Sequence, residues 1–340
     1  MMNTYKAMQI IAPGNMQLVE LPIPEPKAGE VLLRIEACGI CGADAGAIEG
    51  MEKNTTYPRT PGHEVVGTIA SVGPGVSASV KQGLRVGVGR LGGHCNECEQ
   101  CRHGHFNLCS NQPVVGSSQD GGYAEYMIAR ATGLVVIPDE LKSEEAAPLL
   151  CAGIATFNAL LKSGAQAGDT VAIQGIGGLG HLALQYARKM GFRVIAIGRG
   201  DQINQDVAAL GAHIYLDTNK VDAVEEIRSL GGANVILTTI TDSKAASELI
   251  KALGPKGKFM VVGAGKDPLS IAPGLMVGNE LSVEGTITGT PYEAEKTLKF
   301  SLLADVRAHI EVMPLEKANE AYQRMRSGEV QYRMVLTMNN

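Results

Sequence analysis

The chain contains no tryptophan, and aromatic residues make up only 4% of it. Stacking platforms for nucleic-acid bases are therefore not expected, and the cores must be assembled from Val, Ile, Leu, Ala and Met. Long basic runs are also missing, and 30 Lys and Arg against 35 Asp and Glu leave a formal charge of −5. That balance lacks the electrostatic footprint of a nucleic-acid or membrane partner, so neither is expected and a small molecule is. Residues 1–21 show no continuous apolar stretch of signal-peptide length and no small-residue cleavage pattern, from which a cytoplasmic protein is expected. The uncharged stretch 170–187 is broken by glycines, two glutamines and a histidine, which suits a strand, turn and helix better than a membrane span.

What the chain has in excess is glycine, 42 of 340 residues, about one in eight against a usual 7% or so. With 45% apolar and 19% charged residues, this length suits two domains able to bury their own cores. Up to about residue 137 the pattern is of short β-rich runs punctuated by Gly and Pro, at 31–35, 65–72, 85–88, 123–128 and 134–137. Helical spacing begins near 146–161. Strand candidates at 170–174, 193–197, 213–216, 234–239, 258–262 and 281–285 then alternate with helix-length segments, predicting a doubly wound parallel sheet. The tail reads as helix 293–304, a short run at 310–313, helix 315–327 and a strand at 332–338, and it is expected to return to the first domain.

Seven cysteines, an odd number without a secretory signal, argue against a disulfide framework. Four of them form Cys95-x2-Cys98-x2-Cys101-x7-Cys109, a spacing that lets one loop wrap four thiolates around a single tetrahedral ion. Zinc in a structural role is the natural choice, since four sulfurs leave no open position. The competing iron–sulfur run needs a final gap of three and a following proline, whereas here the gap is seven and Ser110 follows. His94, His103 and His105 lie among these cysteines, but four sulfurs already complete a tetrahedron, so the histidines are expected to stay outside it.

Gly175-Ile-Gly177-Gly178-Leu179-Gly180 follows an apolar strand and opens a helix, the arrangement in which glycines admit a pyrophosphate to a helix N-terminus. The end of the next strand reads Ile197-Gly198-Arg199-Gly200-Asp201. Glycine stands where a carboxylate would hold a ribose 2′-hydroxyl, and Arg199 follows, so NADP(H) is favoured over NAD(H). Asp201 is the contrary sign, and a solvated turn residue is the bland reading of Arg199.

Cys41 with Asp44, the pair His63-Glu64 and Cys151 are the remaining candidates. Two thiolates and an imidazole with a fourth position left to water or substrate mark a catalytic zinc, although a single histidine or Cys151 could equally be a core residue. Glu36-Ala-Cys-Gly-Ile-Cys-Gly-Ala-Asp44, Pro61-Gly-His-Glu64, the four-cysteine lobe, Asp120-Gly-Gly-Tyr-Ala-Glu125, Pro148-Leu-Leu-Cys-Ala-Gly153 and the glycine loop occur in this order. Together they make the chain resemble the zinc-dependent, medium-chain alcohol dehydrogenases, particularly the bacterial and yeast-like branch. The resemblance implies a GroES-like β-rich catalytic domain at 1–147 and 288–340, and a Rossmann dinucleotide-binding domain at 148–287. It further implies one catalytic and one structural zinc, hydride transfer between a nicotinamide and an alcohol or carbonyl substrate, and a homo-oligomer, tetramer or dimer. By the same resemblance Cys41, His63 and Cys151 are the catalytic ligands, Glu64 is an acid able to approach the metal, and Asp44 orients the ligand histidine. Cys38 is not a ligand, and Arg333 meets the cofactor pyrophosphate.

The chain departs from that family where a proton would leave the substrate. Ala43 and Gly46 replace a hydroxyl residue and a relay histidine, and Ala155 stands for a threonine, with Thr156 adjacent. Loss of an aligned proton donor removes a factor of about 10² to 10⁴ in rate, unless zinc-bound water, a ribose hydroxyl or a group such as Glu49 or Thr156 substitutes. Ile48, Arg90 and Leu91 also stand where such relatives carry large aromatics. Two alternatives therefore accompany the dehydrogenase reading: reduction of activated C=C or C=N bonds on the same fold, and a nucleotide-binding scaffold without turnover.

Overall fold

The computed structural model describes residues 4–52, 55–200, 204–263 and 265–338. They form two compact units, one of 1–154 with 289–340 and the other of 155–288. The first crossing thus falls at 154/155, beyond the change of periodicity near 146, because the turn Ala147–Leu150 and Cys151 stay with the first unit.

The first unit opens with an antiparallel ribbon, β1 (Thr4–Ala12) and β2 (Asn15–Pro22). β3 (Glu30–Ile40) is its central strand, antiparallel to β4 (Val65–Val72) and also to β6 (Tyr126–Arg130). β4 continues to β5 (Arg85–Val88), and β5 to β7 (Val135–Val136). Of the eleven residues of β3 only Arg34 is exposed, as a strand enclosed on both faces requires. Leu33, Ile35, Val65, Val86 and Tyr123 belong to one buried cluster.

In the second unit six strands form a wholly parallel sheet: β8 (Thr170–Gln174), β9 (Arg193–Gly198), β10 (Ile214–Asp217), β11 (Ala233–Thr238), β12 (Leu253–Val261) and β13 (Ser282–Gly285). Their order is β10-β9-β8-β11-β12-β13, the doubly wound arrangement, with the reversal of strand order at β8 and β11. Every residue of β8 is buried, because helices cover both faces of such a sheet. Gly175 follows β8 at φ +91°. A Cβ on Gly180 would lie 1.9 Å from the Gly175 carbonyl oxygen, so the turn closes only with glycine there.

The chain then returns to the first unit. Helix Pro291–Ala304 starts at Thr290, whose hydroxyl accepts from the Glu293 amide while the Glu293 carboxylate accepts from the Thr290 amide. β14 (Ile310–Pro314) runs parallel to β15 (Arg333–Thr337), and β15 pairs antiparallel with β3, Met334 opposite Ile40. Among the described residues no single helix is long and apolar enough to cross a membrane.

Candidate metal centres and nucleotide pocket

Three distant segments of the first unit converge. β3 ends at Ile40 and delivers Cys41, His63 and Glu64 immediately precede β4, and Cys151 follows the turn Ala147–Leu150. The ligand atoms of Cys41, His63, Glu64 and Cys151 all lie within 4.8 Å of one another, and all four residues are buried. Gly62 makes the approach of His63 feasible. It sits at φ +97°, and a Cβ there would fall 2.3 Å from Tyr123 Cδ1 and 2.8 Å from Cys38 Sγ.

Asp44 holds the histidine. His63 Nδ1–H donates to Asp44 Oδ1 at 2.7 Å, the direction being fixed because a carboxylate only accepts. Asp44 Oδ2 accepts from the Cys41 amide at 2.9 Å and from the Tyr123 hydroxyl at 3.0 Å. His63 Nε2 is left as the ring's ligand atom, buried and without a hydrogen-bond partner among the described residues. An orphaned imidazole nitrogen facing two thiols is the donor chemistry of a zinc site. The Cys41 and Cys151 sulfurs stand 3.9 Å apart. Two sulfurs on one tetrahedral zinc with bonds of about 2.3 Å would stand roughly 3.8 Å apart, so the residues present fit the ion.

Charge in this cluster is strongly biased. Burial disfavours a charged His63, but the Asp44 and Cys41 charges outweigh it and push the imidazole up to about 10. The Cys151 thiol, donating to it, draws Cys41 well below the ordinary thiol range, and that same bond, with burial, raises Cys151. Burial pushes Glu64 up to about 7 against the pull of Arg333. The Arg333 guanidinium contacts both Glu64 carboxylate oxygens at 2.5 Å, so the residue that resemblance assigns to a pyrophosphate pairs here with Glu64.

Cys95, Cys98, Cys101 and Cys109 form a second cluster, again with all ligand atoms within 4.8 Å. Sulfur separations of 4.0 Å for Cys95–Cys101, 3.9 Å for Cys98–Cys109 and 3.6 Å for Cys95–Cys109 bracket the tetrahedral value of roughly 3.8 Å. Amides of Glu97 and Cys98 donate to Cys95 Sγ, and that of Cys95 to Cys109 Sγ, which prepares the sulfurs for negative charge. Donors from Cys101 and Ser110 bring Cys98 down to about 5. His94, His103 and His105 stay outside this cluster. His94 packs on Phe106, and His105 meets Gln100.

At the departures noted in the sequence, a Cβ on Gly46 would fall 2.5 Å from Glu52 Oε1, so the Glu52 carboxylate fills that space. Arg90 donates to Glu52 at 2.6 Å, and the Ser117 hydroxyl donates to its other oxygen. Glu49 is engaged elsewhere, accepting from the Tyr322 hydroxyl at 2.7 Å and pairing with Arg326 at 2.8 Å. Thr156 is buried. Cys38 is buried too and lies outside the ligand cluster.

In the second unit a cavity of about 780 Å³ opens at the ends of the central strands, lined among others by Gly175, Ile176, Gly198, Arg199, Thr218 and Asn219. Its volume and its place at the reversal of strand order suit a nucleotide. Gly177, Gly178 and Leu179 lead from it into the helix Gly180–Lys189, whose N-terminal amides favour an anion. Asp217 Oδ1 accepts from the Gly200 and Asn219 amides at 3.0 Å each, which holds its carboxyl below the usual range. The Tyr215 hydroxyl donates to the Gly200 carbonyl at 2.9 Å. The turn carrying Arg199 is thereby pinned to β10, while the Arg199 side chain is exposed and makes no hydrogen bond or ion pair among the described residues. Asp201 lies outside the described residues. Tyr123, Tyr215, Asp217 and Glu52 are contributions that sequence reasoning missed. Only Tyr123 left a signal, as part of the 120–125 motif.

Comparison with known proteins agrees with this architecture. Residues 27–139 match the family model described as alcohol dehydrogenase GroES-like domain, and residues 178–302 match that described as zinc-binding dehydrogenase. Alcohol dehydrogenase patD of Penicillium expansum is 39% identical over 337 residues, covering 99% of this chain and 98% of its own. An alcohol dehydrogenase of Geobacillus stearothermophilus is 40% identical, covering 94% and 96%. The crystal structure of AibC superposes with a TM-score of 0.92 at 30% identity, covering 100% and 97%. The class is thus a zinc-binding dehydrogenase that combines a GroES-like with a Rossmann-type domain. The chain belongs to the zinc-dependent medium-chain alcohol dehydrogenase family and is an oxidoreductase of that type.

Proposed function

We propose that the protein transfers hydride between NADP(H) and an alcohol or its aldehyde or ketone, with a catalytic zinc on Cys41, His63 and Cys151 and a structural zinc on Cys95, Cys98, Cys101 and Cys109. The observation that carries this reading is the buried, unpartnered His63 Nε2 facing two cysteines and Glu64 within 4.8 Å. Zinc held there supplies Lewis acidity toward a substrate oxygen, and the nicotinamide carries the hydride. The chain's own residues set the conditions. Cys41 and Cys151 offset the ion's charge, Asp44 fixes the His63 ring, and Arg333 draws the Glu64 carboxylate to itself. Burial of Cys41, His63, Cys151 and the neighbouring Glu64 excludes bulk water and strengthens each charge interaction.

The NADP(H) preference is supported by Arg199 on a pinned turn beside the nucleotide cavity, with Gly198 bringing no carboxylate to it. Gly175 to Gly180 would carry the pyrophosphate. A cytoplasmic homo-oligomer, dimer or tetramer, completes the reading. The second reading, reduction of activated C=C or C=N bonds, is favoured by Ala43 and Gly46, which offer no protic group, and by the ion-paired Glu52 filling the Gly46 space.

A zinc count combined with a substrate panel tests the proposal. Two zincs per chain are expected, with one lost in Cys41→Ser and the other in Cys98→Ser. NADPH-dependent reduction of aldehydes that requires zinc supports the first reading, and enal reduction at the alkene the second. Aldehyde turnover undiminished in zinc-free protein would overturn the first reading, and no reduction of enals at the alkene the second.

A further inference from the structure

We propose that Tyr123 is a positioning residue of the metal centre, whose phenol locks the Asp44 carboxylate and, through it, the His63 ring. The proposal rests on the reading of Cys41, His63 and Cys151 as zinc ligands.

Tyr123 is fully buried and its backbone is fixed on both sides. Its amide donates to Pro61 O at 3.0 Å, and its carbonyl accepts from the Met8 amide at 2.8 Å. Its ring lies so close over Gly62, the residue before His63, that a Cβ there would collide with it. Held this way, the hydroxyl reaches one place, Asp44 Oδ2 at 3.0 Å.

The geometry of Asp44 gives that contact its consequence. The torsion that turns a carboxylate about its own axis is broad and nearly two-fold, so backbone placement alone does not set the plane of Asp44. Two donors from different segments, Cys41 N at 2.9 Å and the phenol at 3.0 Å, converge on Oδ2 and define that plane. Oδ1 is then aimed at His63 Nδ1 at 2.7 Å, and the ring turns Nε2 toward the cysteines. Without the phenol, Oδ2 keeps one donor and the plane can rock. A buried tyrosine serving only to fill the core would show no effect specific to one metal.

The test is zinc release from the full-length, zinc-loaded protein to an excess of a colorimetric chelator. Wild type should release its two zincs in two phases, and Cys41→Ser, lacking one, identifies the catalytic phase. Tyr123→Phe keeps the ring and removes the hydroxyl. It should speed that phase about tenfold, the lower end of the usual cost of losing such an outer partner, and leave the four-cysteine phase unchanged. After cobalt replaces zinc, the visible absorption of the catalytic site should shift as the imidazole reorients. Tyr322→Phe, which removes another tyrosine-to-carboxylate bond, made to Glu49 and not to Asp44, should leave both phases as in wild type.

Release from Tyr123→Phe at the wild-type rate would overturn the proposal, and so would equal acceleration of both phases, the signature of a loosened fold. Should Cys41→Ser retain both phases, the ligand reading itself fails, and the proposal with it, by a result distinct from either of these.

Discussion

Arg199→Ala isolates the charge on which the proposed NADP(H) preference rests. The side chain is exposed at the rim of the nucleotide cavity and engages no other described residue, so removing it disturbs no internal contact. A guanidinium about 4 Å from a phosphate in water-like surroundings gains about 1 kcal/mol per unit charge, or about 2 kcal/mol for a dianionic 2′-phosphate. At about 1.4 kcal/mol per factor of ten, kcat/KM for NADPH should fall roughly 30-fold while that for NADH is unchanged. The ratio of the two, from initial rates at fixed aldehyde, is the quantity to measure. Because the contact is exposed, the NADPH loss should shrink as salt is raised. Gly198→Asp supplies the reciprocal. A Cβ there would sit 3.2 Å from Ile176 Cγ1 and from Tyr215, tight enough to need only small adjustments, and the new carboxylate should move preference further toward NADH. An NADPH to NADH ratio that stays at the wild-type value in Arg199→Ala would refute the argument, since no other charge has been credited with reading the 2′ position.

Gly62→Ala combines an unfavourable φ of +97° with a Cβ 2.3 Å from the Tyr123 ring, and should cost about 2–3 kcal/mol or more in chemical unfolding. Its zinc should also be lost more readily, because Gly62 abuts His63. Cys98→Ser should lower the metal content by one zinc per chain and make residues 95–109 the first site of limited proteolysis, since donors built around four sulfurs would lose their centre. For Asp217 the folded carboxyl titrates below its unfolded value of 3.8. Its contribution is therefore in place above about that pH and is lost as pH falls through the lower folded value. Thermal unfolding followed from neutral pH downward should show a shallower acid decline for Asp217→Asn than for wild type. Parallel curves would mean that the Gly200 and Asn219 bonds contribute nothing.

Features built from neighbouring residues were legible in the sequence. The glycine loop, the four-cysteine lobe and the parallel alternation of strands each lie within a short window, where spacing alone constrains geometry. The ribbon β1–β2 was not, because the burial of β1 runs in a block over Ala7 to Ile10 instead of alternating. The fourth strand run, expected at 123–128, begins as a ladder only at Tyr126, since the backbone of Tyr123 is already committed to Met8 and Pro61. Resemblance supplied the grouping of Cys41, His63 and Cys151, which no local spacing could. The polar pairs around them stayed hidden. Asp44–Tyr123, Glu52–Arg90 and Glu64–Arg333 are each made by side chains from separate segments, and each partner alone reads as an ordinary polar residue. Gly46 shows the limit most clearly, for a missing side chain says nothing about the Glu52 carboxylate that occupies its space.

β15 pairs with β3, yet roughly 290 residues of chain (333 minus 40) separate them. At 5–20 residues per second a ribosome needs on the order of 15–60 s to cover that distance. Throughout that interval Ala37 to Ile40 of the central strand lack a neighbour on the edge that β6 covers only over Glu30 to Arg34, and Glu64 lacks Arg333. Synthesis of the whole second unit must finish before the first can close, so a message truncated near its 3′ end would yield a nucleotide-binding half that is sound attached to an unsealed, sticky partner.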